Sequence, residues 1–206
     1  MKKLLLFNGF GGESRLVESL LPPGWVCISP LLPPPDFDET LEEYSIRIVD
    51  ALKLDVDAIL GFSFGALLAH SCAAHLPNKP ILLISSVLRP SEIPFPLPKV
   101  LAFILFLIPS NWIKRFAIFW APFHLNEKER FKTFLNRLSA KTYKWSLIQG
   151  LKVDITDAIH YERLHGKHDK LFPNKYIKEG DKIDGGHFLF LENRQHMRKW
   201  LEKKLT

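Results

Sequence analysis

Apolar and polar positions along residues 1–85 switch between two periods. Compact apolar runs at Lys3–Phe7, Trp25–Ser29, Val56–Leu60 and Pro80–Ser85 predict short buried strands. Between them, Leu16, Val17, Leu20 and Leu21 recur at helical spacing within Glu13–Leu21, and Leu41, Tyr44, Ile48 and Leu52 do so further on. Thr40, with Glu43 three residues later, predicts a capping box at the start of that second helix. A third helix is expected from Ser63 to about Leu76. Strand and helix in alternation imply an α/β fold with a mostly parallel central sheet and helices on both faces.

The alternation stops at Arg89. Prolines and large apolar residues follow, in Pro94-Phe95-Pro96-Leu97-Pro98, Val100–Ile108 and the series Trp112, Phe116, Phe119, Trp120, Phe123. Val100–Ile108 spans nine residues, against the ~20 needed to cross a membrane, so no transmembrane segment is expected. Short helices laid over the strand ends as a cap fit better, with Trp112, Phe116 and Trp120 as candidate substrate contacts. A helix capped by Asn126 and Glu129 should follow, with Phe131, Phe134, Leu135 and Leu138 on its inner stripe. Ala158–Leu164 reads as a return to the sheet, Lys182–Asp184 as a short last strand or turn, and Phe188–Leu205 as one closing helix. The expected organisation is a single domain over 1–206 with residues 89–150 as an inserted helical cap.

Composition narrows the class. With 47% hydrophobic and 24% charged residues the chain has the make-up of a folded globular protein. Two cysteines, Cys27 and Cys72, in apolar surroundings suggest buried thiols in the cytoplasm. The opening Met-Lys-Lys-Leu-Leu-Leu is too short for a signal peptide and is broken by Asn8-Gly9. The net charge of +6 is uneven: residues 1–103 carry 8 basic and 11 acidic side chains, and residues 104–206 carry 20 and 11. That asymmetry could attract anionic surfaces. No nucleic-acid motif accompanies it, so no nucleic-acid partner is expected.

The stretch richest in chemistry is Gly61-Phe62-Ser63-Phe64-Gly65, where a predicted strand turns into a predicted helix. Flanking glycines permit a sharp corner, and the corner side chain, Ser63, then projects alone above the sheet. A serine hydroxyl needs a base, and the base needs a group to orient it. His187 follows Gly185-Gly186 at a strand end, and Asp169 follows a late strand, giving the chain order Ser63, Asp169, His187. His165 and His168 flank Asp169 without a glycine-framed loop, and they lack the further ligands a metal site would need. No cofactor is implied. Donors for a developing oxyanion would be the backbone N–H groups of Phe64, from the elbow, and Phe10, from the glycine turn after the first strand.

Together these motifs resemble the α/β-hydrolase fold over most of the chain. Gly61–Gly65 resembles the nucleophile elbow, His165-Gly166-Lys167-His168-Asp169 the strand-end acid motif, and Gly185-Gly186-His187 the histidine loop. Asn8-Gly9-Phe10-Gly11-Gly12 resembles the oxyanion turn, with Asn8 where the family has histidine. The chain starts at what would be the family's third strand, an N-terminally shortened version. Only 18 residues separate Asp169 from His187, leaving little room for a helix between them. The similarity is greatest to small esterases and thioesterases of the pimeloyl-ester carboxylesterase kind. It implies a serine hydrolase acting through an acyl-enzyme on a small ester or thioester with an apolar acyl part, free or carrier-bound. Alternatives on the same fold are a non-catalytic or slowly turning-over ligand-binding or signalling protein, and an acyltransferase or C–C bond hydrolase using the same three residues.

Overall fold

The computed structural model describes residues 1–206 except 10–13, 37, 54, 121–127 and 156–158; the side chains of Trp120, Lys128, Arg130, Phe131, Phe134 and Arg137 also lie outside the description. The Asn126 cap and the Ala158 strand start fall among the residues left out.

Six strands form one sheet: β1 (Lys2–Phe7), β2 (Trp25–Ile28), β3 (Ala58–Phe62), β4 (Ile81–Ile84), β5 (Glu162–Gly166) and β6 (Asp181–Ile183). All pair in parallel, in the order β2-β1-β3-β4-β5-β6. Parallel sheets need both faces covered, and the period-2 alternation of these strands divides the core in two. Leu5, Phe7, Ile59, Ile81 and Leu83 face one layer, formed with α2 (Leu41–Leu52), α3 (Phe64–Ala73) and α7 (Ala140–Leu151). Leu4, Leu6, Leu60, Leu82 and Leu164 face the other, with α1 (Ser14–Glu18), α8 (Leu189–Glu192) and α9 (Arg194–Leu205).

Local sequence sets several of these boundaries. At α2 the expected capping box is complete: the Glu43 N–H donates to Thr40 Oγ1, and the Thr40 N–H donates to Glu43 Oε2. β3 starts two residues later than expected; just before it, the Asp57 N–H donates to the Lys3 carbonyl while the Asp57 carboxylate, in place of a backbone carbonyl, accepts from the Lys3 N–H. The closing helix is two helices, not one. Asn193 sits at φ −141°, caps α9 at the His196 N–H, and donates from Nδ2 to the Asp184 carbonyl at 2.7 Å. An asparagine inside an apolar-periodic run therefore ends one helix and begins the next.

Between β4 and β5 the chain leaves the sheet. A 3₁₀ turn (Pro90–Glu92) precedes α4 (Pro98–Leu107), α5 (Ser110–Trp120), α6 (Lys128–Arg137) and α7. The departure point is pinned by a buried ion pair. Arg163 of β5 donates from both terminal nitrogens to Glu92 Oε1 and Oε2 at 2.7 Å, and from Nη2 to the Ser86 carbonyl; Glu92 also accepts from the Leu88 N–H. Both side chains are fully enclosed. At the other end of the insertion, Trp145 Nε1 on α7 donates to the Glu39 carbonyl at 2.6 Å, tying α7 to the loop before α2.

Removing one partner of an enclosed pair strands a charge, which typically costs ~3–5 kcal/mol, whereas exposed pairs contribute ~1 kcal/mol or less. Glu92→Ala is therefore expected to lower the urea-unfolding free energy by about 3–5 kcal/mol. Glu179→Ala, breaking the exposed pair with Arg89, should cost under about 1 kcal/mol. Equal effects in the two unfolding curves would contradict this ranking.

Candidate active site

In open parallel sheets, ligand sites form at the carboxyl ends of strands where the strand order reverses. Here the chain steps from β1 outward to β2, then back past β1 to β3, so the reversal lies between β1 and β3. Ser63 is the first residue after β3. Its backbone is at φ 54°, ψ −125°, a region a side chain rarely adopts. The corner is locked by the Ser63 N–H donating to the Ile84 carbonyl and by two close approaches. A Cβ on Gly65 would lie 2.0 Å from the Phe7 carbonyl oxygen, and one on Gly9 would lie 2.5 Å from Ser63 Cβ. Glycine at both positions lets the end of β1 press against the elbow.

His187 and Asp169 complete the group. Ser63 Oγ lies 3.0 Å from His187 Nε2, and His187 Nδ1 lies 2.9 Å from Asp169 Oδ2. All three residues are buried. The imidazole is held by rings on several sides, with centroids of Phe62, Phe188 and Phe172 at 5.1, 5.3 and 5.5 Å. Asp169 uses its second oxygen, Oδ1, to accept from the Leu171 and Phe172 N–H groups, each at 2.9 Å. Burial by itself would raise the Asp169 carboxyl, but the charge and hydrogen bond of His187, with the Phe172 N–H, hold it below its ordinary value. An ionised carboxylate only accepts, so His187 donates from Nδ1 and presents Nε2 as acceptor for the Ser63 hydroxyl proton.

One supporting residue has a role that sequence reasoning left open. His165 is fully buried, donates from Nε2 to the Phe172 carbonyl at 2.8 Å, and stands 3.5 Å from Asp169 Oδ2. Burial lowers its pKa, which keeps it neutral and able to brace the Leu171–Phe172 turn that cradles Asp169. His168 points away, exposed and paired with Asp184 at 2.9 Å. Among the described residues no three His, Cys, Asp or Glu side chains converge as a metal site.

A cavity of about 430 Å³ opens beside Ser63 and His187. Its walls come from Leu67 on α3, Ile93 and Phe95 after the 3₁₀ turn, Leu147 and Leu151 on α7, and Phe172. Lys170 also contributes to its lining. The expected substrate contacts lie elsewhere. Trp112 and Phe116 on α5 are 70% and 65% exposed and do not line the cavity; Trp120 is outside the described side chains. Helix α7 reaches the cavity while α5 packs behind it, so the large aromatics of α5 face outward. Phe64 is the first residue of α3, whose opening N–H groups point out of the helix end beside Ser63. Phe10 lies outside the described residues. Asn8, in the family's histidine position, donates to Ser29 Oγ at 3.0 Å.

The sequence profile of the alpha/beta hydrolase family matches residues 4–198. The chain belongs to the alpha/beta hydrolase family. A comparison with curated protein sequences finds no match. Among solved structures, the N-acyl homoserine lactonase AidH complexed with N-hexanoyl homoserine is similar at 13% identity and TM-score 0.71, over 99% of this chain and 88% of that one. RedJ, a thioesterase from the prodiginine pathway of Streptomyces coelicolor, is 15% identical with TM-score 0.64, over 98% and 90%. A thermophilic esterase from Thermogutta terrifontis is 18% identical with TM-score 0.65, over 100% and 91%. At these identities the likeness is one of fold.

Asp169 binds its proton more weakly folded than unfolded, so it stabilises the chain above the unfolded value near 3.8, and that contribution is lost as pH falls through the lower folded value. The stability difference between wild type and Asp169→Asn, read from urea unfolding, should therefore be largest near neutral pH and shrink below pH 3.8. A difference independent of pH would contradict the depressed carboxyl.

Proposed function

We propose that this alpha/beta hydrolase is a serine esterase or thioesterase that cleaves substrates with an apolar acyl part. The observation that carries this reading is the unbroken series from Ser63 Oγ to His187 to Asp169, opening on an apolar cavity. Ser63 Oγ attacks the carbonyl carbon as its proton passes to His187 Nε2. The N–H groups of Phe64 and Phe10 stabilise the oxyanion; losing one such donor typically costs ~3–4 kcal/mol of barrier. His187 then protonates the departing alcohol or thiol, leaving an acyl-Ser63. Water attacks that ester, its proton goes to His187, and Ser63 leaves with its hydroxyl restored as the acid is released. Asp169 keeps the imidazole in the tautomer that accepts from serine.

The cavity lining, apolar apart from Ser63, Ser86, Ser146, Lys170 and His187, favours an acyl chain. A cytoplasmic setting suits the two thiols, which burial pushes up to about 11 at Cys27 and about 12 at Cys72, far from reactive thiolates.

A fluorophosphonate probe should label the wild type at Ser63 and leave Ser63→Ala unlabelled; labelling of both alike would overturn the assignment. Asp169→Asn should lower kcat/KM on p-nitrophenyl esters by roughly 10⁴-fold. Leu147→Trp, which fills the cavity, should shift preference from longer acyl esters toward acetate, read as the ratio of kcat/KM values.

A further inference from the structure

Helices α4 and α5 are apolar on two sides. Their inner sides, through Ala102, Leu105, Ile113 and Ala117, pack into the protein, and both helices lie against α7. Their outer sides are equally regular. Val100, Phe103, Ile104 and Leu107 follow i, i+3, i+4, i+7 spacing on α4 and are all exposed, Phe103 at 64%. Trp112, Phe116 and Phe119 follow i, i+4, i+7 spacing on α5 and are also exposed. Single exposed apolar side chains are ordinary, but two helices presenting such stripes mark an interaction surface. Ten residues rise ~15 Å along a helix, half the ~30 Å of a hydrocarbon core, and the two helices are bent by 117° at their junction. No single described helix is long and apolar enough to cross a membrane. Lying flat at an interface remains open to such a pair.

Charge selects the occupant. Residues 93–126 contain Lys99, Lys114 and Arg115 and no aspartate or glutamate. Lys99 is four residues before Phe103, and Arg115 lies between Trp112 and Phe119 at i+3 and i+4, so exposed cations sit within the stripes themselves. A second copy of the chain docked on this face would bring two cationic surfaces together with no carboxylate from residues 93–126 to offset them. A layer of anionic headgroups over acyl chains would satisfy both the stripe and the charges. Phe95, three residues before α4, is half exposed and lines the cavity beside Ser63.

We propose that the outer faces of α4 and α5 dock the protein onto an anionic lipid surface, with Phe103, Ile104, Leu107 and Trp112 entering the headgroup boundary and Lys99 and Arg115 meeting anionic headgroups. Docking stands on the surface alone. Its use, delivering an acyl ester past Phe95 to Ser63, rests on the esterase reading above.

The test is co-sedimentation with vesicles of phosphatidylglycerol and phosphatidylcholine against vesicles of phosphatidylcholine alone. Wild type and Ser63→Ala should both partition onto the anionic vesicles, with a blue shift of tryptophan emission that Trp112→Phe reduces. Phe103→Ser with Ile104→Ser should lower partitioning by at least about tenfold while keeping the wild-type thermal midpoint. Lys99→Glu with Arg115→Glu should abolish the preference for anionic vesicles, each cation being worth roughly a factor of five. No binding by wild type, or a preference that survives the charge reversal, would overturn the proposal. So would a lipid-free dimer in sedimentation velocity that Phe103→Ser dissociates, since it would give the face to a second copy. Failure of Ser63 labelling with vesicle binding intact would remove the esterase reading and leave the docking.

Discussion

The hydrogen bond between Asp169 and His187 is the contact around which the second half of the chain is arranged. Asp169 divides its oxygens: one belongs to the Leu171 and Phe172 N–H groups and the other to the imidazole. The first pair fixes the carboxylate to its own turn, and His165 secures that turn from beneath through the Phe172 carbonyl. The 18 residues from Asp169 to His187 have no room for a crossover helix. The chain instead runs through a 3₁₀ turn and the short β6, which pairs beside β5 and returns the histidine to the same sheet end. A Cβ on Gly166 would lie 2.2 Å from the Gly186 carbonyl oxygen, so the Asp169 and His187 loops touch backbone to backbone.

The cavity beside Ser63 is walled in part by the helical segment between β4 and β5, which is fastened at both ends. Near its start, Glu92 is held by Arg163; near its end, Trp145 is held by the Glu39 carbonyl. Inside the insertion, lysines secure helix ends: Lys114 Nζ reaches the Leu138 carbonyl, and Lys144 Nζ reaches those of Phe106 and Ile108. Cations near carbonyl-rich helix ends complement the backbone dipole. α7 is thereby set as cavity wall, with α4 and α5 carried on its outer side.

Much of this was legible because it is local. The elbow, the capping box at Thr40 and the glycine-framed His187 each declare themselves within five residues, and strand-end placement brings distant ones together. Where the sequence reading erred, the deciding contact is remote or the pattern symmetric. Glu92 and Arg163 are 71 residues apart, and nothing near either marks the other as a partner. Trp112 and Phe116 looked like pocket residues because α5 is apolar on both sides, so periodicity has no sign by which to tell inside from outside. The break at Asn193 was hidden by apolar spacing that continues across it, although an asparagine is a ready helix cap.

The positive φ of Ser63 bears on how stable this fold can be. A non-glycine residue held in such a region typically costs ~1–3 kcal/mol, an appreciable share of the ~5–15 kcal/mol by which domains are folded. Glycine at residue 63 would relax that corner and leave the sheet, the helices and the cavity as they are, with no hydroxyl to offer. The more comfortable polypeptide would lack the hydrogen bond from residue 63 to His187. Backbone ease and the placement of this hydroxyl pull in opposite directions at this single position, and the chain holds the tension by packing Gly9 and Gly65 so closely around it that the serine has no easier conformation to fall into.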